Sequence, residues 1–550
     1  MSDKAGSPIQ SSSGKLGDDV QSAWIPLLII VLAQLQMGIN VNALPVSIGP
    51  IAEDLLTPTT AIATALVIYS LVVAACVMLG AKLGKMIGER RVFQVAVLAH
   101  GGSMVLMALA TDQRAMNVAQ VIAGIAAAAL VPTLVVLIAA NYRGRQQETA
   151  LGVLAAVPAL ASALTFVVAG ALATAFTWRY SFGLTGLLAA AVFILSFRLK
   201  PVDRQKGMQI DFVGWLLSAA SLALILFGFN SIGDWGLFSA EPDAPFSIVG
   251  ISPSPLLILI GLILGQMFFK WSRKRTEAGR QPLIAMEVLD SSEERNAVIC
   301  FLVAGSLGPA ASFLIPLYIQ IVQDRSPLFT AVAIVPYAIA IAAAAILSVR
   351  LYDRIPPHQI GIVSFLMVAA GLALVGMTVA NNWGNPSVIL GLLIVGLGEG
   401  ALLTLLFNVL VSASPKELAG DVGALRGVAN NVSSALGGAF AGVFAVGLLG
   451  IALASGFNAS TLPLELRDEM TYKRIDFVTN NQLEEYLSDT SATARQVTEA
   501  VKLNEDARLR ALRASFIVLA GIALLAVIPA SGLPKYVPDE LSAEEIVGQG

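Results

Sequence analysis

The sequence predicts an all-α polytopic membrane protein, made of two related six-helix bundles with an extra helix pair between them. Three observations carry this. Of 550 residues, 56% are hydrophobic and only 13% charged, with a mean hydropathy of +0.77, whereas a soluble domain is about 25% charged. Apolar runs near 20 residues recur along the chain; they are continuous, as membrane helices are, where barrel strands would alternate over about ten residues. A plan is also written twice. The basic turn Leu83-Gly84-Lys85-Met86-Ile87-Gly88-Glu89-Arg90-Arg91 has an echo at Leu351-Tyr352-Asp353-Arg354-Ile355-Pro356-Pro357-His358, with Pro45 placed 38 residues before the first and Pro316 placed 35 before the second. Such duplication is how many transporters are built, with the substrate path between the halves.

In chain order, residues 1–22 are polar, rich in Gly, Ser and Asp, and read as a disordered tail. Fourteen spans follow, near 24–44, 61–81, 92–111, 117–140, 149–172, 180–198, 212–231, 254–271, 296–321, 329–349, 359–380, 387–411, 422–453 and 512–531. The first is long and has no small-residue cleavage site after it, so it reads as a retained helix. Spans 1–6 (residues 23–200) form one bundle, spans 7–8 (201–275) an inserted pair, 276–295 a linker, and spans 9–14 (296–531) the second bundle, before a tail at 532–550. Between spans 13 and 14 lies a mixed-charge stretch, 454–511. There Thr479-Asn480-Asn481-Gln482 resembles a capping box opening a short helix through Leu487. A second helix starts after Thr490-Ser491 and runs through Val497, Val501 and Ala507 into span 14. This stretch reads as a solvated helical cap, or as a gate or docking site over the exit path.

Lys and Arg set the orientation. The even-to-odd loops and both tails hold 22 basic residues, whereas the short loops on the other side hold only Arg114, Arg179 and Arg325. Both termini are therefore expected in the cytoplasm. A net charge of −3 points away from nucleic acid. Cys76 and Cys300 sit in apolar runs as packing residues, and two histidines are too few for most metal sites. No P-loop, HExxH or nucleophile–base pair in register is present, which argues against an enzyme and against ATP-driven transport.

An ionisable group at mid-membrane costs on the order of 2.5–3.5 kcal/mol even on lenient scales, so each such residue is a functional candidate. Glu399 is the clearest. It stands in Gly396-Leu397-Gly398-Glu399-Gly400, roughly 18 Å from either end of its helix at 1.5 Å per residue. Arg426, about one and a half turns into span 13, either snorkels to the cytoplasm or reaches Glu399. His100, mid-span 3, is a second titratable group. Span 1 carries a polar stripe: Gln36 and Asn40 share one face as i and i+4, with Gln34 and Asn42 flanking. Asn430 and Asn431 offer a weaker set in span 13. These amides line a cavity or hydrogen-bond between helices.

Asn42-Ala43-Leu44-Pro45, Trp178-Arg179-Tyr180, Tyr318-Ile319-Gln320 leading to Ser326-Pro327-Leu328, Pro336, and the second basic turn together resemble the major facilitator superfamily, in its 14-helix drug:proton antiporter branch. The resemblance spans nearly the whole chain. It implies the major facilitator fold and export of amphipathic small molecules. The family's coupling residues do not carry over: Lys85 stands where the first basic turn normally has an Asp, Gln36 where many members have an Asp, and Gln120 where a coupling Arg stands. Thr165-Phe166 replaces a Gly-Pro pair.

The expected coupling set is therefore Glu399, His100 and Arg426, and the expected substrate set Gln34, Gln36, Asn40, Gln120 and Asn430. By resemblance, Lys85, Arg90, Asp353 and Arg354 gate one face, with Glu89, Asp203 or Asp211 as partners for Lys85. The reading is a proton-coupled secondary exporter of an inner or plasma membrane. It would work by alternating access as a monomer among membrane lipid, with no cofactor or metal. Its alternatives are an uncoupled or lipid-translocating protein of the same fold, and a transporter-derived sensor or assembly protein acting through 454–511.

Overall fold

The computed structural model describes residues 24–142, 144–202, 204, 210–241, 244–280, 282–283, 292–352, 354–380, 386–412, 419–458, 480–488 and 492–535. Among these residues, regular structure is almost entirely helical. The helices are α1 (Ile25–Val46), α2 (Ile48–Asp54), α3 (Thr59–Ile87), α4 (Glu89–Ala108), α5 (Gln113–Asn141), α6 (Gly144–Ala175), α7 (Arg179–Leu195), α8 (Phe212–Asn230), α9 (Ile232–Trp235), α10 (Pro253–Glu277), α11 (Ser292–Leu317), α12 (Pro327–Tyr352), α13 (Pro357–Thr378), α14 (Pro386–Ser412), α15 (Ala419–Asn458), α16 (Asn480–Ser488), α17 (Ala494–Leu525) and α18 (Val527–Ala530). Thirteen of them are long and apolar enough to cross a membrane, and α6 adds the apolar run Leu164–Ala175. The predicted fold class holds. Spans 1–14 correspond to α1, α3–α8, α10–α15 and α17.

The two halves repeat one packing scheme. In the first, α1 packs on α6, α3 on α5, and α4 on α5 and α7; in the second, α11 packs on α15, α12 on α14, and α13 on α14 and α17. Small residues explain the closest of these approaches. A Cβ at Gly124 of α5 would come within 2.9 Å of the Tyr69 carbonyl of α3, and one at Gly396 of α14 within 2.6 Å of the Tyr337 carbonyl of α12. Tyr69 and Tyr337 are each the eleventh residue of their helix, so the contacts are equivalent. Without hydrophobic drive between helices in lipid, close backbone contact of this kind carries the association. The halves meet along α3–α15 and α6–α12. The inserted α8 and α10 pack on each other. α8 covers the α3–α15 seam, held by Trp215 Nε1–H to the Ala75 carbonyl (2.9 Å) and by Asn230 to Thr64 (3.2 Å).

Both first helices of the halves break after their proline. α1 ends just past Pro45 and the chain turns at Ser47 into α2, whereas α11 passes Pro316 into a π-helical turn, Tyr318–Val322. In 454–511 the short helix is found as α16, and its predicted cap residue Thr479 lies outside the described residues. The second helix is α17, continuous into the membrane. Thr493 starts it through a capping box with Gln496, two residues beyond the predicted start. The stretch is not solvated throughout, because Arg508, a loop charge by sequence, is fully buried.

Candidate functional site

Glu399 stands at the middle of α14 and is buried, 7% exposed. The surrounding glycines explain its aim. Gly396 and Gly400, one turn apart, press α14 against the Tyr337 and Ile341 backbone of α12, and Gly398 presses it against Ser364 of α13. The remaining direction points the carboxylate at α11, where a Cβ at Gly308 would lie 1.8 Å from Oε1. The Tyr337 hydroxyl donates to Glu399 Oε2 at 2.5 Å and also shares a hydrogen bond with Ser312 of α11. The carboxylate thus sits among α11, α12 and α14, and among the described residues its side-chain partner is a phenol rather than a cation. The repeat has no counterpart to it. Three residues after Gly396 stands Glu399, while three after Gly124 stands Ala127, also buried. Arg426 falls in α15 with its side chain outside the described residues.

The first half carries neutral pairs. Gln36 Nε2–H donates to His100 Nδ1 (2.8 Å), joining α1 to α4, and this assigns the His100 proton to Nε2. Asn40 and Gln120 exchange two bonds, 2.9 and 3.1 Å, joining α1 to α5. All four side chains are fully buried. Among the described residues, His100 Nε2 and Gln36 Oε1 have no hydrogen-bond partner, which leaves one donor and one acceptor for a water or a ligand. The i and i+4 residues of the α1 stripe therefore hydrogen-bond between helices. Gln34 is half-buried, Asn42 bonds back to the Gly38 carbonyl (2.7 Å), and Asn430 is exposed on α15.

Of the predicted gating residues, Lys85 is exposed. Its expected partner Glu89 is buried against Gly84, hydrogen-bonds Thr133 and lies within reach of the Lys85 charge. Asp211, another candidate partner for Lys85, instead pairs with Arg275 (3.5 Å) and accepts from Trp271 Nε1–H (3.0 Å). Arg90 donates to the Phe197 carbonyl (2.9 Å) and stacks over its ring. Arg354 is exposed, and Asp353 and Asp203 lie outside the described residues.

On the opposite face, which carries α2, the sequence offers only the 454–511 stretch as a gate and points to no particular gating residue. There Gln320 of the π-helical turn donates from Nε2 to the Val46 carbonyl (2.8 Å) and accepts at Oε1 from Gly49 N–H (3.1 Å). One amide thereby caps the last carbonyl of α1 and an unpaired N–H at the start of α2, groups every helix end leaves open. This contact joins the halves. Thr174 Oγ1 at the end of α6 accepts from Leu328 N–H of α12 (3.1 Å), a second bond between them. On the first-half side α2 is anchored by Asp54, which pairs with Arg179 (2.8 Å) and accepts from Trp178 Nε1–H (2.9 Å). On the second-half side, buried Arg508 of α17 donates to the Ile321 carbonyl of the π turn (3.1 Å) and to Asn480 of α16. The carboxyl of Glu53, exposed on α2, is raised from its ordinary value, by partial desolvation first and by the nearby Asp324 charge second. The signals were present in the Trp178-Arg179-Tyr180 and Tyr318-Ile319-Gln320 motifs, which sequence alone gives no partner for.

A model of the Major Facilitator Superfamily matches residues 28–438. The chain belongs to this superfamily. Among similar members, the puromycin resistance protein pur8 of Streptomyces alboniger is 26% identical over 443 residues, covering 78% of this chain and 83% of the relative. A multidrug resistance protein B homolog of Mycobacterium tuberculosis is 25% identical over 512 residues, covering 92% and 89%. Solved major facilitator structures share the fold. They include a bacterial homolog of the lysosomal transporter Spinster, inward-facing and occupied (TM-score 0.60, 13% identity, 94% of this chain and 98% of that one), and a D-xylose–proton symporter (TM-score 0.59, 10% identity, 94% and 99%).

Proposed function

We propose that this major facilitator protein exports amphipathic small molecules across the inner or plasma membrane by proton-coupled alternating access, with both termini in the cytoplasm and α2 on the outer face. The observation that carries the coupling is Glu399, a carboxylate at mid-helix whose side-chain partner is the Tyr337 hydroxyl. A carboxylate with one oxygen facing a phenol donor and the other facing α11 is chemically suited to take up and release a proton. Kinship to proteins named for puromycin and multidrug resistance supports drug-like substrates. The basic-residue bias supports the orientation.

In this reading the Gln320 clasp holds the outer face closed, and export requires the clasp to part. Protonation from outside loads Glu399, and its release inside resets the cycle. Glu399→Gln in proteoliposomes with an imposed pH gradient tests this: gradient-driven efflux is lost while the folded protein remains. Intact pH-driven transport in that variant removes Glu399 from the coupling role.

A second reading has a specific support. The positions where the family carries ionised coupling groups hold the neutral bonds Gln36–His100 and Asn40–Gln120, which suits an uncoupled or lipid-translocating carrier. Efflux that persists undiminished with a protonophore favours this second reading over the first.

A further inference from the structure

The loop between the inserted helices is built around an unfavourable turn. Ile248 and Ile251 exchange backbone bonds (3.3 and 3.0 Å), and Ala240 N–H and Ser252 N–H extend the pairing to the Gly250 and Phe238 carbonyls (2.9 and 2.8 Å). The two central residues, Val249 (φ 54°) and Gly250 (φ 78°), both lie in the left-handed region, the pattern of a type I′ hairpin turn. Such turns favour Asn-Gly, because Asn tolerates the left-handed conformation; a β-branched residue there is an outlier. Here valine occupies it and is 95% exposed. Beside it, Phe238 (73%), Phe246, Ile248 and Ile251 are also exposed. A strained turn that lifts an apolar side chain off the protein is costly in water on both counts. Strain of this kind marks a contact the surroundings must supply.

The position of the loop names that contact. It joins α8 and α10, both long and apolar enough to span a membrane and both largely uncovered by protein, with Phe227, Leu259 and Ile260 exposed. The exposed loop residues continue this lipid-facing surface past the helix ends. From Ile232 to Ser252 the chain has no Lys or Arg, so attraction to anionic headgroups is not available and apolar insertion is what remains.

We infer that the Ile248–Ile251 turn is a membrane-inserted tip that buries Val249 and its apolar neighbours at the headgroup–acyl boundary of the leaflet on the α2 face. It would pin the free ends of the inserted pair, and so hold α8 steady over the α3–α15 seam while the halves move.

The test uses the full chain in phosphatidylcholine vesicles, with Cys76→Ala and Cys300→Ala and an environment-sensitive fluorophore on Val249→Cys, or on Phe238→Cys should the first variant fold poorly. Expected are a blue-shifted emission, quenching by phospholipid spin-labelled near the headgroup, and protection from aqueous iodide relative to a label at Glu241, exposed in the same loop. Val249→Asn suits the turn better, yet it should weaken lipid quenching of the Phe238 label. The inference is overturned if iodide reaches the tip as readily as Glu241. It is equally overturned if the label is hidden from both quenchers and transfers energy between copies, which would assign the surface to a second copy of the chain.

Discussion

Replacing Gln320 by alanine removes both halves of the clasp while touching nothing in the Glu399 pocket. The Val46 carbonyl loses a bond of 2.8 Å and Gly49 N–H one of 3.1 Å. Gln320 is 4% exposed, so neither group gains water while the face stays closed. At about 1–1.5 kcal/mol for each group left unpaired, the closed arrangement loses about 2–3 kcal/mol relative to the open one, where water satisfies both. That is roughly a 30- to 150-fold shift toward opening of the α2 face, at tenfold per 1.4 kcal/mol. Ser47, fully buried between α1 and α2, reports it. In a background lacking Cys76 and Cys300, Ser47→Cys should be alkylated by an impermeant maleimide faster by that factor in Gln320→Ala. Gln320→Glu keeps the acceptor for Gly49 N–H but sets an oxygen against the Val46 carbonyl, and should open the face at least as far. An unchanged alkylation rate in folded Gln320→Ala would show that the clasp does not hold the face shut.

Four further outcomes follow from the same structure. Arg508→Leu detaches α17 from the Ile321 carbonyl and should raise Ser47→Cys alkylation roughly tenfold, with no rescue by Arg508→Lys, whose single ammonium cannot bridge Ile321 and Asn480. Glu53 is raised above its ordinary 4.5 by partial desolvation and by Asp324, so the closed face binds more protons than the open one. Closure is then favoured at acid external pH and lost as pH rises through the raised value, and alkylation in Glu53→Gln should lose this dependence. Gly400→Ala places a Cβ 2.2 Å from the Ile341 carbonyl and should cost about 1–3 kcal/mol, read as a lower Tm in detergent, whereas Gly183→Ala, with nothing within 4 Å, should leave Tm unchanged. Tyr337→Phe removes the donor to Glu399 and should cut gradient-driven efflux roughly tenfold with little loss of Tm; unaltered efflux would make the phenol a packing group.

The helices were legible because a bilayer imposes length and continuity on every span, and the repeat was legible from two prolines and two basic turns. The burial of Glu399 at mid-helix was legible, because its place in the span puts it far from either membrane face. Its partner was not. Tyr337 lies 62 residues away, and an aromatic residue in an apolar run looks like packing. The amides of α1 fit either lining or bonding by sequence, and the choice turns on His100 and Gln120, whose facing direction no local pattern encodes. Arg508 misled for the opposite reason. In a mixed-charge stretch an arginine reads as solvated, and only the docking of α17 on the π turn reveals that its side chain is enclosed, bonded to a carbonyl and an amide oxygen with the Glu505 and Asp324 charges nearby.

The placement of the clasp is a consequence of the duplication. Gly49 stands four residues after Pro45, and Gln320 four residues after Pro316, so the bond joins equivalent positions of the two repeats. Equivalent points approach each other only near the axis that relates the halves, and a contact on that axis is strained alike by the motion of either one. A side chain was needed from one half only. The first copy supplies bare backbone at Gly49, where a Cβ would already crowd Gln320 Oε1 at 3.3 Å, and the second supplies the amide. The same division recurs deep in the bundle, where Glu399 is answered by Ala127. Duplication provides two matched frames, and in both places the chemistry has been given to the second frame alone, so that one half carries the polar group and the other the surface it works against.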